Sequence, residues 1–163
     1  MRAAAAALLL LGGGCGYRFA AGASLPEGIR SVCTPVYANR TAEPHLEALF
    51  AESMRERLSR AGVASGPECE ARLEGEILSL SGAQTLLTPS QAVASYRVSA
   101  VVLLRLKRGR QVVAEAEVVG EEDYLPSRPL GDVLESEANR QAALRRLADD
   151  LARHGYERLA GGW

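Results

Sequence analysis

The chain has few of the residue types on which several common functions depend. Aromatic residues make up 5% of its 163 residues, and it has two histidines and three cysteines. So few aromatic side chains argue against a stacking platform for single-stranded nucleic acid. The formal net charge of -1 excludes a strongly basic nucleic-acid binder that depends on counterion release. We therefore expect no nucleic-acid partner.

Motifs of catalysis and of metal binding are also missing. The sequence has no Gly-x-Ser-x-Gly elbow, no Gly-x-x-x-x-Gly-Lys phosphate loop and no His-Glu-x-x-His. Its histidines, His45 and His154, fall on different predicted helices, and the cysteines are too few and too widely spaced for a zinc site. We predict a protein that is not an enzyme and that holds no metal or cofactor. A hydrolase that uses the two histidines is the alternative, which a substrate screen would test.

The first fifteen residues have the composition of a targeting signal. Arg2 precedes an apolar run over residues 3–11, and three glycines then lead to Cys15. A positive start, an apolar run and small residues before the cut are typical of a secretory signal, and the run is shorter than the ~20 residues of a membrane span. The approach to Cys15 resembles the lipobox of bacterial lipoproteins, in which the cysteine is diacylated. An uncleaved apolar anchor and a cytosolic tail are the alternatives.

This resemblance implies a location and a division of the chain. In lipoproteins of this kind, aspartate after the cysteine usually means retention in the inner membrane, and here Gly16 occupies that position. The resemblance therefore implies the outer membrane, on its periplasmic side. We predict a signal peptide over residues 1–14, a lipidated N-terminus and tether over 15–28, and one domain over 29–163.

Hydrophobic periodicity predicts the fold of that domain. Apolar residues recur every three or four positions in two segments and every second position in the long segments between them. The order predicts an α+β two-layer sandwich, β-α-β-β-β-α, with two helices on one face of a mainly antiparallel four-stranded sheet. The predicted strands cover residues 29–37, 70–80, 94–106 and 112–118, and the predicted helices cover residues 42–61 and about 132–159.

Two cysteines remain once Cys15 is assigned to lipid. In an oxidising periplasm Cys33 and Cys69 could pair, which would close a loop of about 36 residues and contribute roughly 3–4 kcal/mol on the chain-entropy model. They could equally be two small buried hydrophobic residues. The sequence leaves both interpretations open.

A group of basic residues marks the predicted turn of the long hairpin. Arg105, Lys107, Arg108 and Arg110 concentrate positive charge there, and arginine presents a planar fork that suits phosphate. The alternative is a solvated turn whose charges keep the hairpin soluble and unable to pair edge to edge.

The assembled pattern resembles the LptE-type lipopolysaccharide-assembly lipoproteins. The likeness covers essentially the whole chain after the leader, in order, and is completed by the closing helix. The residues that carry it are Cys15-Gly16-Tyr17-Arg18-Phe19, Leu25-Pro26-Glu27-Gly28-Ile29, Pro35-Val36-Tyr37-Ala38-Asn39-Arg40-Thr41-Ala42-Glu43-Pro44, Leu73-Glu74-Gly75-Glu76-Ile77, Tyr96-Arg97-Val98 and Glu122-Asp123-Tyr124.

The resemblance implies a lipid-anchored plug inside a large outer-membrane β-barrel, which assists the assembly of that barrel and helps to deliver lipopolysaccharide to the cell surface. The partners it implies are that barrel, lipopolysaccharide, and the membrane through the N-terminal lipid. It also makes the basic residues of the hairpin candidate lipopolysaccharide contacts, with Arg108 and Arg110 first. The rival interpretation is a lipid-anchored periplasmic scaffold or secretion pilot that binds a different partner.

Overall fold

The computed structural model of the protein describes residues 24–66, 68–87, 93–126 and 132–161. The predicted signal peptide and Cys15 lie outside these residues. After a 3₁₀ turn at Pro26–Gly28, the elements in chain order are β1 (Val32–Cys33), β2 (Ala38–Asn39), α1 (Leu46–Arg60), β3 (Ala71–Leu87), β4 (Val93–Arg108), β5 (Gln111–Tyr124) and α2 (Val133–Gly161).

The sheet is mixed rather than purely antiparallel. Strands β3, β4 and β5 form an antiparallel meander, while β1 and β2 both pair in parallel with the other edge of β3. The α+β class is confirmed, and in the described residues the sheet has five strands where four were predicted. The strand predicted over residues 29–37 is replaced by two strands of two residues each. Pro35 lies between them, and because proline has no N–H to donate it interrupts the pairing.

Both helices pack on one face of this sheet. Alternate residues of β4 point towards them, and Val102, Leu104 and Leu106 are at most 2% exposed. Helix α2 contributes Leu144 and Leu147, which are similarly buried. This alternation confirms the buried face that the period of two predicts for the long strand. Among the described residues, no helix combines the length and the apolar composition needed to cross a bilayer.

The side chain of Asp132 caps the N-terminus of α2. The Asp132 side chain accepts hydrogen bonds from the backbone N–H groups of Leu134 at 3.0 Å and Glu135 at 3.1 Å. These donors have no partner within the helix, so the carboxylate satisfies them.

A close approach between Tyr37 and Gly75 fixes the edge segment on the sheet. A Cβ atom added at Gly75 would lie 2.4 Å from three ring atoms of Tyr37, so only glycine leaves room for the ring. Tyr37 is 5% exposed, and burial raises the pKa of its hydroxyl group well above the usual range. That hydroxyl group finds no hydrogen-bond partner in the described parts of the chain. Tyr37 and Gly75 belong to two different motifs of the family resemblance, so these two motifs are in direct contact in the structure.

Candidate functional site

The predicted basic residues lie together at the turn between β4 and β5. Arg105, Lys107 and Arg108 belong to the end of β4, and Arg110 follows Gly109 in the turn. Gly109 has a φ of 59°, a left-handed conformation that favours glycine. The structure thus brings the four bases to one end of the molecule.

Two of these bases are paired with carboxylates of neighbouring strands. The Lys107 ammonium lies 2.6 Å from a carboxylate oxygen of Glu74, and this hydrogen bond lowers the pKa of Glu74. The Arg105 guanidinium lies 2.6 Å from Glu115 and 3.7 Å from Glu76. An anion would have to displace these carboxylates, so Arg105 and Lys107 are less available to an anion than their charge suggests.

The other two bases differ from each other. Arg108 is paired with Glu27, 2.8 Å between nitrogen and oxygen, and both side chains are nearly half exposed. Arg110 is exposed, and within the described parts of the chain it forms no ion pair or side-chain hydrogen bond. Arg110 is therefore the base of this turn that is most available to an anion.

In the part of the chain that the structure describes, no helix covers the other face of the sheet. This open sheet face carries charged pairs at both ends and an apolar strip between them. At one end is the Arg105 cluster, and at the other Arg97 lies 2.8 Å from Glu121 and 2.7 Å from Asp123. The hydrogen bond from Arg97 lowers the pKa of Asp123, and the same contact raises the pKa of Arg97. The strip between the clusters consists of Val101, Leu103 and Val119, the last of which is 63% exposed.

A second charged network, which the sequence analysis did not identify, links α2 to the segment that leads into α1. Arg140 of α2 donates two hydrogen bonds to the Glu43 carboxylate, at 3.0 and 2.5 Å, and this contact lowers the pKa of Glu43. Asn39 donates to the Glu43 carbonyl at 2.7 Å and to the Glu47 carboxylate at 2.9 Å. Glu43 and Asn39 lie in the resemblance motif, but Arg140 is 97 residues away from Glu43, so spacing gave no signal of the pair.

Cys33 and Cys69 lie side by side at the edge of the sheet. Their Cα atoms are 5.7 Å apart and the two sulfur atoms are bonded. The contact lies where β1 pairs with the beginning of β3, in a register that places Cys33 opposite Arg72. Within residues 24–66, 68–87, 93–126 and 132–161, no group of three histidine, cysteine, aspartate or glutamate side chains is placed to hold a metal ion.

Comparison with protein families identifies the relatives of this chain. The family model LptE, described as lipopolysaccharide-assembly, matches residues 29–159. The chain belongs to the LptE family. The match spans every strand and nearly all of α2, so it confirms the resemblance found in the sequence motifs.

Solved structures of low sequence identity share the fold of this chain. Rare lipoprotein B from Shewanella oneidensis is 16% identical with a TM-score of 0.53, covering 77% of this chain and 93% of its own. A minor lipoprotein from Acinetobacter baumannii is 11% identical with a TM-score of 0.55, covering 82% and 92%. A chain from Caulobacter crescentus described as a lipoprotein is 15% identical with a TM-score of 0.56, covering 77% and 89%. At these identities the likeness shows the fold alone. No curated protein matches the sequence significantly.

Proposed function

We propose that this LptE-family protein is an outer-membrane lipoprotein, anchored by diacylation of Cys15 and facing the periplasm. It plugs a large β-barrel lipopolysaccharide translocon, assists the assembly of that barrel, and has no catalytic role. The observation that carries the proposal is the family match over residues 29–159. The lipobox-like approach to Cys15 supports the anchor.

The open sheet face is the surface that suits the inside of a barrel. A barrel of this class has a polar, water-filled interior, so its plug needs a polar and roughly neutral surface. The two charged clusters of the open sheet face combine arginines with carboxylates, as in Arg97 with Asp123 and Arg105 with Glu115. Such exposed pairs contribute little to stability, so they can exchange partners with charges of the barrel wall at little cost.

The basic turn is the candidate contact for lipopolysaccharide phosphates. Arg110 has no competing carboxylate in the described chain, and Arg108 holds only the half-exposed Glu27. Charge reversal at both positions, Arg108→Glu with Arg110→Glu, should weaken lipopolysaccharide binding. Arg145→Glu is the matched control, because Arg145 is an exposed arginine at another end of the molecule, near Pro44. If the double variant binds lipopolysaccharide as well as the control does, the turn is not the site.

Copurification from outer membranes tests the proposed function. The full-length protein, extracted in detergent, should elute with one large barrel protein at close to one to one, and mass spectrometry should find acyl chains on Cys15. A smaller periplasmic partner in place of the barrel would instead support the scaffold or pilot interpretation.

A further inference from the structure

Strand β5 (Gln111–Tyr124) forms one edge of the sheet. It pairs with β4 on one side, and within the described residues no strand pairs with its other side. With 14 residues, β5 is longer than most strands. An unpaired edge of this length offers a row of backbone donors and acceptors to a further strand.

Two arginines of α2 show which backbone groups of β5 point to this edge. Arg158 donates to the carbonyl oxygen of Glu117 at 2.6 Å, and Arg146 donates to that of Asp123 at 3.2 Å. In an antiparallel ladder both backbone groups of a residue point to the same side, and the side alternates from one residue to the next. Every second residue from 117 to 123 therefore has its N–H and C=O groups on the outer side of β5.

The middle of this stretch is free to pair. Val119 and Glu121 lie between the two carbonyls that the arginines bind. Among the residues that the structure describes, neither another strand nor a side chain binds the outward groups of Val119 and Glu121. On the helix side, Ala116 and Val118 are buried in the core. A docking strand would thus extend the sheet without disturbing the packing of α2.

The side chains on the open sheet face give this edge a negative charge. Four exposed carboxylates alternate along β5, and they belong to Glu115, Glu117, Glu121 and Asp123. Arg97 and Arg105 of β4 pair with three of them, but Glu117 forms no ion pair within the described parts of the chain. Opposite charges on neighbouring strands stabilise the pairing, and like charges destabilise it.

This charge pattern selects the kind of strand that fits. A second copy of β5, antiparallel and centred on Val119, would place Glu117 opposite Glu121, so self-pairing is disfavoured. A strand that carries lysine or arginine at alternate positions would instead face the carboxylates with opposite charge.

We infer that the edge of β5 around Val119 pairs with an extended, basic segment of the partner barrel protein. The backbone of that segment binds the outward groups of Val119 and Glu121, and one of its basic side chains pairs with Glu117. The inference rests on the barrel partner of the proposed function. It leaves Arg108 and Arg110 available to lipopolysaccharide, since they lie at the β4–β5 turn, and it leaves the open sheet face towards the barrel wall.

Proline substitution tests the backbone pairing. Val119→Pro removes an outward N–H group and keeps the ladder with β4, so the domain should fold, because an edge strand tolerates proline at such a position. Val119→Thr keeps the N–H group and is the matched control. The probe is a labelled peptide of alternating lysine and valine. By fluorescence anisotropy, Val119→Pro should bind it about tenfold more weakly than Val119→Thr. Equal binding by the two variants, or no binding by the wild type, would overturn the inference.

Charge reversal tests the same site without proline. Glu117→Lys should weaken binding of the lysine peptide about fivefold, while Glu68→Lys, at an exposed carboxylate in the loop before β3, should leave it unchanged. Amide exchange by NMR gives a position-specific readout. The N–H groups of Val119 and Glu121 should exchange fast in the free protein and several-fold more slowly with the peptide. Unchanged exchange at both positions would contradict strand addition.

Copurification from outer membranes separates this inference from the proposed function. The full-length Val119→Pro variant should retain several-fold less barrel protein after a detergent wash than Val119→Thr does. If both variants retain the barrel equally, the docking segment is not part of the barrel, and the proposed function stands. If even the wild type brings down no barrel, the proposed function fails, while the peptide comparison still decides whether the edge of β5 accepts a basic strand.

Discussion

Replacing Gly75 by alanine should destabilise the fold through a single displaced ring. The added Cβ atom would lie 2.4 Å from three ring atoms of Tyr37, where an ordinary contact needs 3.4 Å or more. The ring would have to move by about 1 Å, yet it borders a cavity of only about 10 Å³, lined also by Phe50 and Met54. Because the surroundings cannot absorb the ring, strain must be taken up by the edge segment itself.

The expected cost lies at the upper end of the range for overpacking, about 3 kcal/mol. A domain of about 140 residues has an unfolding entropy near 0.3 kcal/mol/K, so this cost should lower the melting temperature by about 10 °C. Urea titration of the wild type and the Gly75→Ala variant measures the free energy directly, and calorimetry gives the midpoint.

A double-mutant cycle with Tyr37→Ala isolates the contact. Tyr37→Ala alone should cost about 3–5 kcal/mol, as for a large buried aromatic side chain. Once the ring is gone, Gly75→Ala should cost less than about 1 kcal/mol, so the two substitutions should be strongly non-additive. Additive effects, or a Gly75→Ala variant as stable as the wild type, would refute the packing argument.

Other predictions concern cross-links, charges and the buried phenol. Cys33→Ser with Cys69→Ser should lower the free energy of unfolding by about 4 kcal/mol, given a separation of 36 residues. If a reductant leaves the free energy of unfolding of the wild type unchanged, this prediction is contradicted. Glu43→Gln should cost about 1.5 kcal/mol at pH 7, because it removes the charge that strengthens the two hydrogen bonds from Arg140. The difference in stability between the wild type and Glu43→Gln should be complete above the pKa of Glu43 in the unfolded chain, near 4.5. It should disappear as the pH falls through the lower pKa of Glu43 in the folded protein. Urea denaturation at several pH values measures this dependence. Tyr37→Phe should melt within a few degrees of the wild type, because its hydroxyl group has no partner in the described chain.

The long elements, which show a clear hydrophobic periodicity, could be predicted from the sequence. The two short strands at the edge of the sheet could not. The stripe of α1 and the alternation of β4 each extend over many residues, so both elements were identified, although α1 begins at Leu46 rather than at residue 42. Strands β1 and β2 have two residues each, which is too short for alternation to show. Their parallel pairing with β3 depends on where α1 returns the chain, which is a tertiary property.

At the candidate site, too, the position of the basic residues could be predicted from the sequence, but their ion-pair partners could not. The sequence places four bases at one turn, but the carboxylates that pair with three of them are far away along the chain or on another strand. Glu27 is 81 residues from Arg108, and Glu74 is 33 residues from Lys107. In the sequence the four bases look alike, since each is a positively charged residue at the same turn. That Arg110 lacks a carboxylate partner among the described residues is seen only in the folded structure.

The central claim is that the open sheet face meets the inner wall of an outer-membrane barrel. A photo-crosslinking amino acid at Val119, the most exposed apolar residue of that face, tests it in intact cells. We predict a single major adduct, whose mass equals this chain plus one large outer-membrane barrel protein. An adduct with a smaller periplasmic protein, or no protein adduct at all, would contradict the account.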